Sequence, residues 1–544
     1  MKLLGPKTAA TLLAVVGAIV VLVNQRDVGI ARDETVYMTA GVRYAQWWGG
    51  AVTFRSEITA ANIAATFGGQ NGGPQNPEHP PLVKTLSGLS HHWFYEVIPI
   101  FDELTAFRLP SAVLAGVLVW LVFVMTCELW GGAAAVIAAL CVILLPRALF
   151  HAGLVCFDAP VMTMWFAAIY GYWRALDGRR WPWQAGVGFG LALATKHTAL
   201  LIPLVIALHY AAVAWRKRDL LHAWRVVVAV AVIGPLVLIA LWPWLWLDPI
   251  GHLRSWIAFH IGHVHYNYEY LGHNWNAPPF PWHVAIVTTL LTVPCAVIVA
   301  ALIGVGLWIA RMQRGAEGRM DRAPVALLVL SAAVSMGPFV LGSTPIFGAE
   351  KHWMPALPTI CIAAGVGAAW AATRFAAGYT WISPRVALFL VGGAIALAGA
   401  VETAVAHPYA LTWYNALAGG AAGGADLGMN RQFWGVAARG VLSTVAQQPP
   451  GPVYTHDASP AWSWYVKLGQ LPRGYPDSGW ELQGVRASQL ALVVHEKHFL
   501  RHDYMIWNDY GTVAPIFVLR AGGVPIVSLY RRPGPRADPA ASFD

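Results

Sequence analysis

Charged side chains are scarce in this chain: Asp, Glu, Lys and Arg supply 12% of its 544 residues, about half their share in an ordinary soluble domain. That scarcity excludes a water-facing surface over most of the molecule. Cysteine is scarce too. The five residues Cys127, Cys141, Cys156, Cys295 and Cys361 lie in or beside apolar runs at no metal-ligand spacing, which excludes a disulfide scaffold and a zinc module and predicts buried free thiols. No internal repeat is strong enough to argue for a transporter built from duplicated halves. No small-x-small cleavage motif precedes Asp33, so the first apolar segment is expected to remain as a span.

What the chain does have is apolar surface. Hydrophobic residues make up 57% of it and the mean hydropathy is +0.53, values that predict an α-helical polytopic membrane protein. The 27 Trp fit this class, because indoles collect at headgroup level. A net charge of +9 would suggest nucleic acid as a partner in a soluble chain. Here the basic residues fall in short loops between apolar segments, so the expected partners are membrane lipids and no nucleic acid.

Spans are predicted at about 8–24, 107–127, 131–146, 158–175, 183–195, 198–214, 226–243, 284–310, 323–341, 356–373 and 386–403, about 11 in all. Lys2 and Lys7 place the N-terminus in the cytoplasm by the positive-inside rule, and an odd count places the C-terminus outside. The clusters Arg179 and Arg180, Arg216 to Arg218 with Arg225, Arg311 to Arg322, and Arg374 with Arg385 all fall on the expected cytoplasmic side. Thr195-Lys196-His197 separates the two weakest spans. The stretches 25–106, 147–157, 244–283 and 342–355 then face outward. In the first, Val36, Tyr37, Ala40, Tyr44, Trp47 and Trp48 recur at helical spacing, as in an amphipathic helix lying in the interface plane; Gly68 to Pro74 reads as flexible chain. Two parts are expected: a transmembrane domain, 1–403, and a small extracytoplasmic soluble α/β domain, 404–544, with strand-like runs at 451–454, 490–495 and 526–530.

The ionisable residues gather at the outer ends of these spans. Asp33 and Glu34 follow the first span, where a carboxylate stays near water and can be ionised at neutral pH beside lipid. Asp158 opens the fourth. His79 and Lys84 flank a Pro-Pro turn, Arg108 opens the second span, Arg147 and His151 close the third, Lys196 tops a hairpin, and Lys351 and His352 precede the tenth. Taken singly, each also reads as a snorkelling interfacial anchor or a favourable helix start. Together they set cations beside carboxylates on one membrane face, a pattern suited to an anionic phosphate headgroup and a base. The loop 244–283 adds His260, His263 and His265 among Tyr and Trp. Their spacing matches no standard metal pair, so no metal ligand is assigned, although a divalent cation stays open as a cofactor.

The ordered series Asp33-Glu34, His79-Pro80-Pro81-Leu82 with Lys84, Arg108-Leu109-Pro110, Phe157-Asp158-Ala159-Pro160, Thr195-Lys196 and Lys351-His352 resembles the protein O-mannosyltransferase and aminoarabinose transferase group. These are integral-membrane glycosyltransferases of the GT-C fold, in glycosyltransferase family 39 and its bacterial relatives. His407-Pro408-Tyr409, Trp413 to Gly420 and Phe433-Trp434-Gly435 are similar to a segment of bacterial members. The resemblance spans residues 25–435 and implies a polyprenyl-phosphate-linked sugar donor, a hydroxyl-bearing acceptor, inversion at the anomeric carbon, and a multi-pass bacterial inner-membrane location. It implies Asp33 as the catalytic carboxylate, Glu34 as its neighbour and Asp158 as a second acidic position. It implies His79, Lys84, Arg108, Lys196 and His352 as donor-site residues; Arg147, His151, His260, His263 and Lys351 join them as candidates. Lys351 stands where many members carry Arg, and the β-trefoil insertion of eukaryotic members is missing, so protein is not implied as the acceptor. The rival expectations are a transporter or lipid flippase, with ionisable residues paired deep inside the bundle, and a non-catalytic glycolipid-binding subunit.

Overall fold

A computed structural model describes residues 5–53, 58–176, 181–214, 223–313, 319–379 and 381–534. Lys2, Arg179, Arg180, Arg216, Lys217, Arg218 and Arg314, which carry much of the orientation argument, lie outside the described residues. All eleven expected spans are helical. Among the described residues, six helices are long and apolar enough to cross a bilayer on their own, and a seventh arises if Gly132–Ile143 and Pro146–Ala152, bent by 67°, count as one span. Of the others, Asp158–Ala175 is unbroken but carries Asp158 and Arg174 among its 18 residues, and the rest are short or broken. Segment 284–310 divides into Val284–Thr292 and Cys295–Gln313 at Pro294, which has no N–H to continue a helix. Between Trp183–Leu193 and Ile202–Ala214, Lys196 takes an extended conformation (φ −154°, ψ 144°).

Small residues let the helices approach closely, as packing in lipid requires. A Cβ on Gly304 would lie 2.0 Å from the Ala363 carbonyl, and one on Gly367 would lie 2.0 Å from the Ala300 carbonyl. The helices Cys295–Gln313 and Leu357–Gly378 therefore touch backbone to backbone. The five cysteines are free, with Cys141, Cys156 and Cys361 buried and Cys127 and Cys295 half-buried.

The loops expected to face outward are folded on protein. Arg32–Val52 is a helix, as its periodicity predicts. Its stripe of Ala40, Tyr44, Trp47 and Ala51 is covered by Ile63 and Phe67, however, and is not left for lipid. The loop 244–283 forms the helix Pro249–Ile261 and a hairpin of β1 (Tyr268–Tyr270) and β2 (His273–Trp275), whose two-residue turn Leu271-Gly272 has φ of 49° and 78°, the twist a tight hairpin needs. The C-terminal part carries a four-stranded sheet of β3 (Val453–Tyr454), β4 (Leu490–Val494), β5 (Phe517–Ala521) and β6 (Val524–Arg531), in the order β3-β4-β6-β5. β3 and β4 run parallel and the other pairs antiparallel. Three of these strands match the sequence expectation, and β5 is additional. The sheet shares one apolar core with the outer loops, in which Leu490, Leu492, Ile526 and Trp462 join Val28, Ile30, Tyr37, Phe107 and Phe157. That continuity brings side chains from the last hundred residues up to the N-terminal loop.

Candidate active site

A cavity of about 840 Å³ opens where these layers meet, and all four stretches expected to face outward contribute to its wall. Asp33 enters from the first turn of Arg32–Val52, where the helix dipole favours a carboxylate. Its side chain is 31% exposed, and its nearest cation is Arg32, with Nε 3.8 Å from Oδ1. Among the described residues nothing donates a hydrogen bond to it, so its oxygens remain open to a ligand. Asp158, by contrast, is engaged: Lys196 Nζ donates to its Oδ1 at 2.6 Å and points toward the Lys351 carbonyl at 3.4 Å. The extended backbone at Lys196 breaks the helix there and turns the side chain into the cavity.

Lys351 has an ammonium held by aromatic faces, 4.3 Å from the Trp434 ring, 4.8 Å from Phe347 and 5.6 Å from Phe433. It donates no side-chain hydrogen bond among the described residues. Burial lowers its pKa, while Asp158 and Asp33 raise it. A set of imidazoles lines the same wall: His79 lies beside His260, with ring centres 5.5 Å apart, and His197 stacks on His260 at 3.8 Å. Burial lowers the pKa of His79, His197 and His352, and takes His260 down to about 4. At neutral pH these rings are uncharged hydrogen-bonding surfaces. His263 stacks on Phe347 at 5.3 Å and completes this side.

Five of the expected site residues lie outside the cavity wall. Glu34 and Arg108 are fully buried on each other: Arg108 donates from Nε at 2.9 Å and from Nη2 at 2.7 Å, and Glu34 also accepts from the amides of Ala31 and Val155, both at 2.8 Å. Arg147 pairs with Glu350 at 2.9 Å and donates to the carbonyls of Leu411 and Trp413; burial raises the Glu350 pKa, but Arg147 and His151 together outweigh it, leaving the carboxyl at about 2. His151 is buried beside the same carboxylate, 3.8 Å away. Lys84 donates to the Asn76 and His79 carbonyls, both at 2.8 Å, and to Asn76 Oδ1 at 2.9 Å, and burial takes its pKa down to about 7. These groups brace the loops that carry Asp33, His79 and Asp158. As phosphate contacts, Arg108 and Lys84 have their donors already committed to protein acceptors, and Arg147 has committed both Nη groups but not Nε.

Several wall residues went unassigned in the sequence: Arg32, Tyr37, Glu78, His197, Asn430, Trp434, Asp457 and Glu496. His197 and Trp434 stand inside motifs quoted above and Glu78 directly precedes one, so position beside His79 and Lys196 is a usable signal. Asp457 and Glu496 carry none, because only the folded C-terminal sheet brings them here. No three His, Cys, Asp or Glu side chains among the described residues form a group able to hold a metal ion.

Residues 78–246 match a family model described as dolichyl-phosphate-mannose-protein mannosyltransferase. No curated protein matches the chain significantly. Among solved structures, ArnT from Cupriavidus metallidurans in the apo state is similar with a TM-score of 0.50 at 13% identity, over 95% of this chain and 97% of that one. The apo oligosaccharyltransferase of Archaeoglobus fulgidus gives 0.52 at 11% identity, over 93% of this chain and 72% of that one. The oligosaccharyltransferase AglB of the same organism, in complex with an inhibitory peptide and a dolichol-phosphate, gives 0.51 at 11% identity, over 96% and 74%. At these identities the likeness is one of fold: a multi-pass GT-C architecture followed by a C-terminal domain.

Proposed function

We propose that this chain, a GT-C-fold membrane protein with a mannosyltransferase-family segment at residues 78–246, is an inverting glycosyltransferase. It moves a monosaccharide from a polyprenyl-phosphate donor to a hydroxyl acceptor at the outer face of a bacterial inner membrane. The observation that carries this reading is one cavity holding an unbonded carboxylate, Asp33, together with two lysines, Lys196 and Lys351. The AglB structure with dolichol-phosphate supports the donor class by analogy.

In this mechanism Lys196 and Lys351 hold the phosphate. A charge-assisted bond in a site with little water stabilises the leaving anion without a general acid. Asp158 fixes Lys196 at 2.6 Å and so aims it. Asp33 accepts the acceptor hydroxyl proton as the oxygen attacks the anomeric carbon. The bond from that carbon to the phosphate oxygen breaks, polyprenyl phosphate departs, and a single displacement inverts the centre. The neutral rings of His79, His260 and His352, with the His263 ring beside them, face the sugar, and Leu200, Leu201 and Phe339 form an apolar side of the cavity toward which the lipid runs. Glu34, Arg108, Lys84, Arg147 and His151 act at one remove, by holding the loops. A transporter would instead pair ionisable groups across the bundle interior; here eight of the thirteen candidates line one cavity, and the other five brace the loops around it.

The test is release of polyprenyl phosphate by purified protein from a panel of labelled polyprenyl-phosphate sugars, with mass spectrometry of the envelope glycans and lipids missing in a deletion strain to supply the acceptor. Time-dependent release with at least one donor is the expected result. No release from any donor with its acceptor present would overturn the reading.

A further inference from the structure

The mechanism above leaves the C-terminal domain without a part, yet its Asp457 and Glu496 line the same cavity as Asp33. Asp457 is 2% exposed and follows β3 directly. Its Oδ1 accepts a hydrogen bond from Arg32 Nη1 at 2.8 Å. The other edge of that guanidinium, Nε, stops 3.8 Å from Asp33 Oδ1. The Arg32 backbone is tied to the same domain, because its N–H donates to the Trp434 carbonyl at 3.0 Å. Trp434 and His456, on either side of this seam, both hold left-handed backbone, with φ of 71° and 57°. Such strain in non-glycine residues persists only where the surroundings impose it.

We infer that Asp457 is a positioning residue for the transfer reaction: it draws the Arg32 guanidinium off Asp33 and so keeps the Asp33 carboxylate free to take a proton. The inference rests on Asp33 being the base. An arginine that closed onto Asp33 would occupy the lone pair the acceptor proton needs and would favour the ionised carboxylate. A carboxylate stabilised in that way is a weaker base, and general-base rates fall with basicity. The C-terminal domain thus sets the strength of a base carried by the membrane domain. Asp33 also faces Lys351 from the 342–355 loop, Tyr37 from its own helix and Cys156 from the 147–157 loop; Asp457 also faces Asp33 itself, Glu496 and His456, and Arg32 also faces Glu496 and Tyr266.

The experiment is the pH dependence of kcat for Asp457→Asn, Arg32→Gln, the double variant and Asp33→Asn, each checked by thermal melt. Asp457→Asn should lower kcat by about tenfold, with donor KM within about twofold, and move the acidic limb of the profile to lower pH by about one unit. Adding Arg32→Gln to it should restore most of the loss, since the quenching cation is gone. Arg32→Gln alone should move the acidic limb to higher pH, which keeps the idea testable if Asp457→Asn does not fold. A wild-type profile in Asp457→Asn, a loss that Arg32→Gln cannot restore, or an unmoved limb in Arg32→Gln would overturn the inference. If Asp33→Asn itself kept wild-type kcat, it is the base assignment that would fall.

Discussion

Arg108→Ala removes a guanidinium that donates to both Glu34 oxygens, at 2.9 and 2.7 Å, and to the carbonyls of Gln25, Val28 and Gly29 at 3.1, 3.1 and 2.8 Å. Arg108 and Glu34 both have side chains with no exposed surface. Breaking a buried pair by deleting one partner costs about 3–5 kcal/mol, because the other charge is left buried and uncompensated. Glu34 would keep the amides of Ala31 and Val155, each at 2.8 Å, which points to the lower end, about 3 kcal/mol. Removing both charges, in Glu34→Gln with Arg108→Met, should cost less than Arg108→Ala alone. Thermal unfolding of the detergent-purified variants, with initial rates over a range of donor concentrations, separates the effects. Arg108→Ala is expected to lower stability and kcat while donor KM stays within about twofold. Wild-type melting with donor KM raised by about tenfold or more would refute this reasoning and make Arg108 a phosphate contact.

Lys196→Ala should raise donor KM by about tenfold or more through loss of a charge-assisted contact, and Lys196→Arg should be milder but not harmless, since a planar fork replaces a point charge; an unchanged KM in both would make Lys196 only a partner for Asp158. Burial, with His263 and Lys196 nearby, takes His260 down to about 4 from an ordinary 6.5. The unfolded chain therefore binds that proton first as pH falls, so this contribution to stability is present above pH 6.5 and lost through to about 4. Melting curves should show wild type losing stability over that window and His260→Gln losing less; equal slopes would contradict the assignment. Alkaline phosphatase fused after Asp544 should be active, because an odd span count leaves the C-terminal domain outside; an inactive fusion would sink that orientation.

The eleven helical segments were legible in the sequence because a bilayer demands long apolar runs and punishes charge, and even the break at Lys196 was marked by Thr195-Lys196-His197. The candidate site was legible for the same reason, since ionisable residues at span ends beside lipid need a function or a partner. Which of the two each has was not legible. Asp33 and Glu34 are adjacent in sequence, but successive helical residues point about 100° apart, so Asp33 faces the cavity while Glu34 is buried on Arg108. A lysine beside a Pro-Pro turn reads as a ligand, whereas Lys84 spends its donors on the turn itself. The covering of the Tyr44 and Trp47 stripe depends on Phe67 folding back over it. Asp457 meets Arg32 across 425 positions of the chain, and no local pattern encodes that contact.

The central claim is that Asp33 deprotonates the acceptor. Single-turnover release of polyprenyl phosphate from a labelled lipid-linked sugar, measured for wild type and Asp33→Asn with donor binding measured in parallel, tests it most directly. The asparagine keeps the shape of the side chain and removes the base, so the rate should fall by roughly 10²- to 10⁴-fold, about 3 to 5 kcal/mol of barrier, with donor affinity retained. A folded Asp33→Asn protein that binds donor and transfers sugar at the wild-type rate would contradict the account.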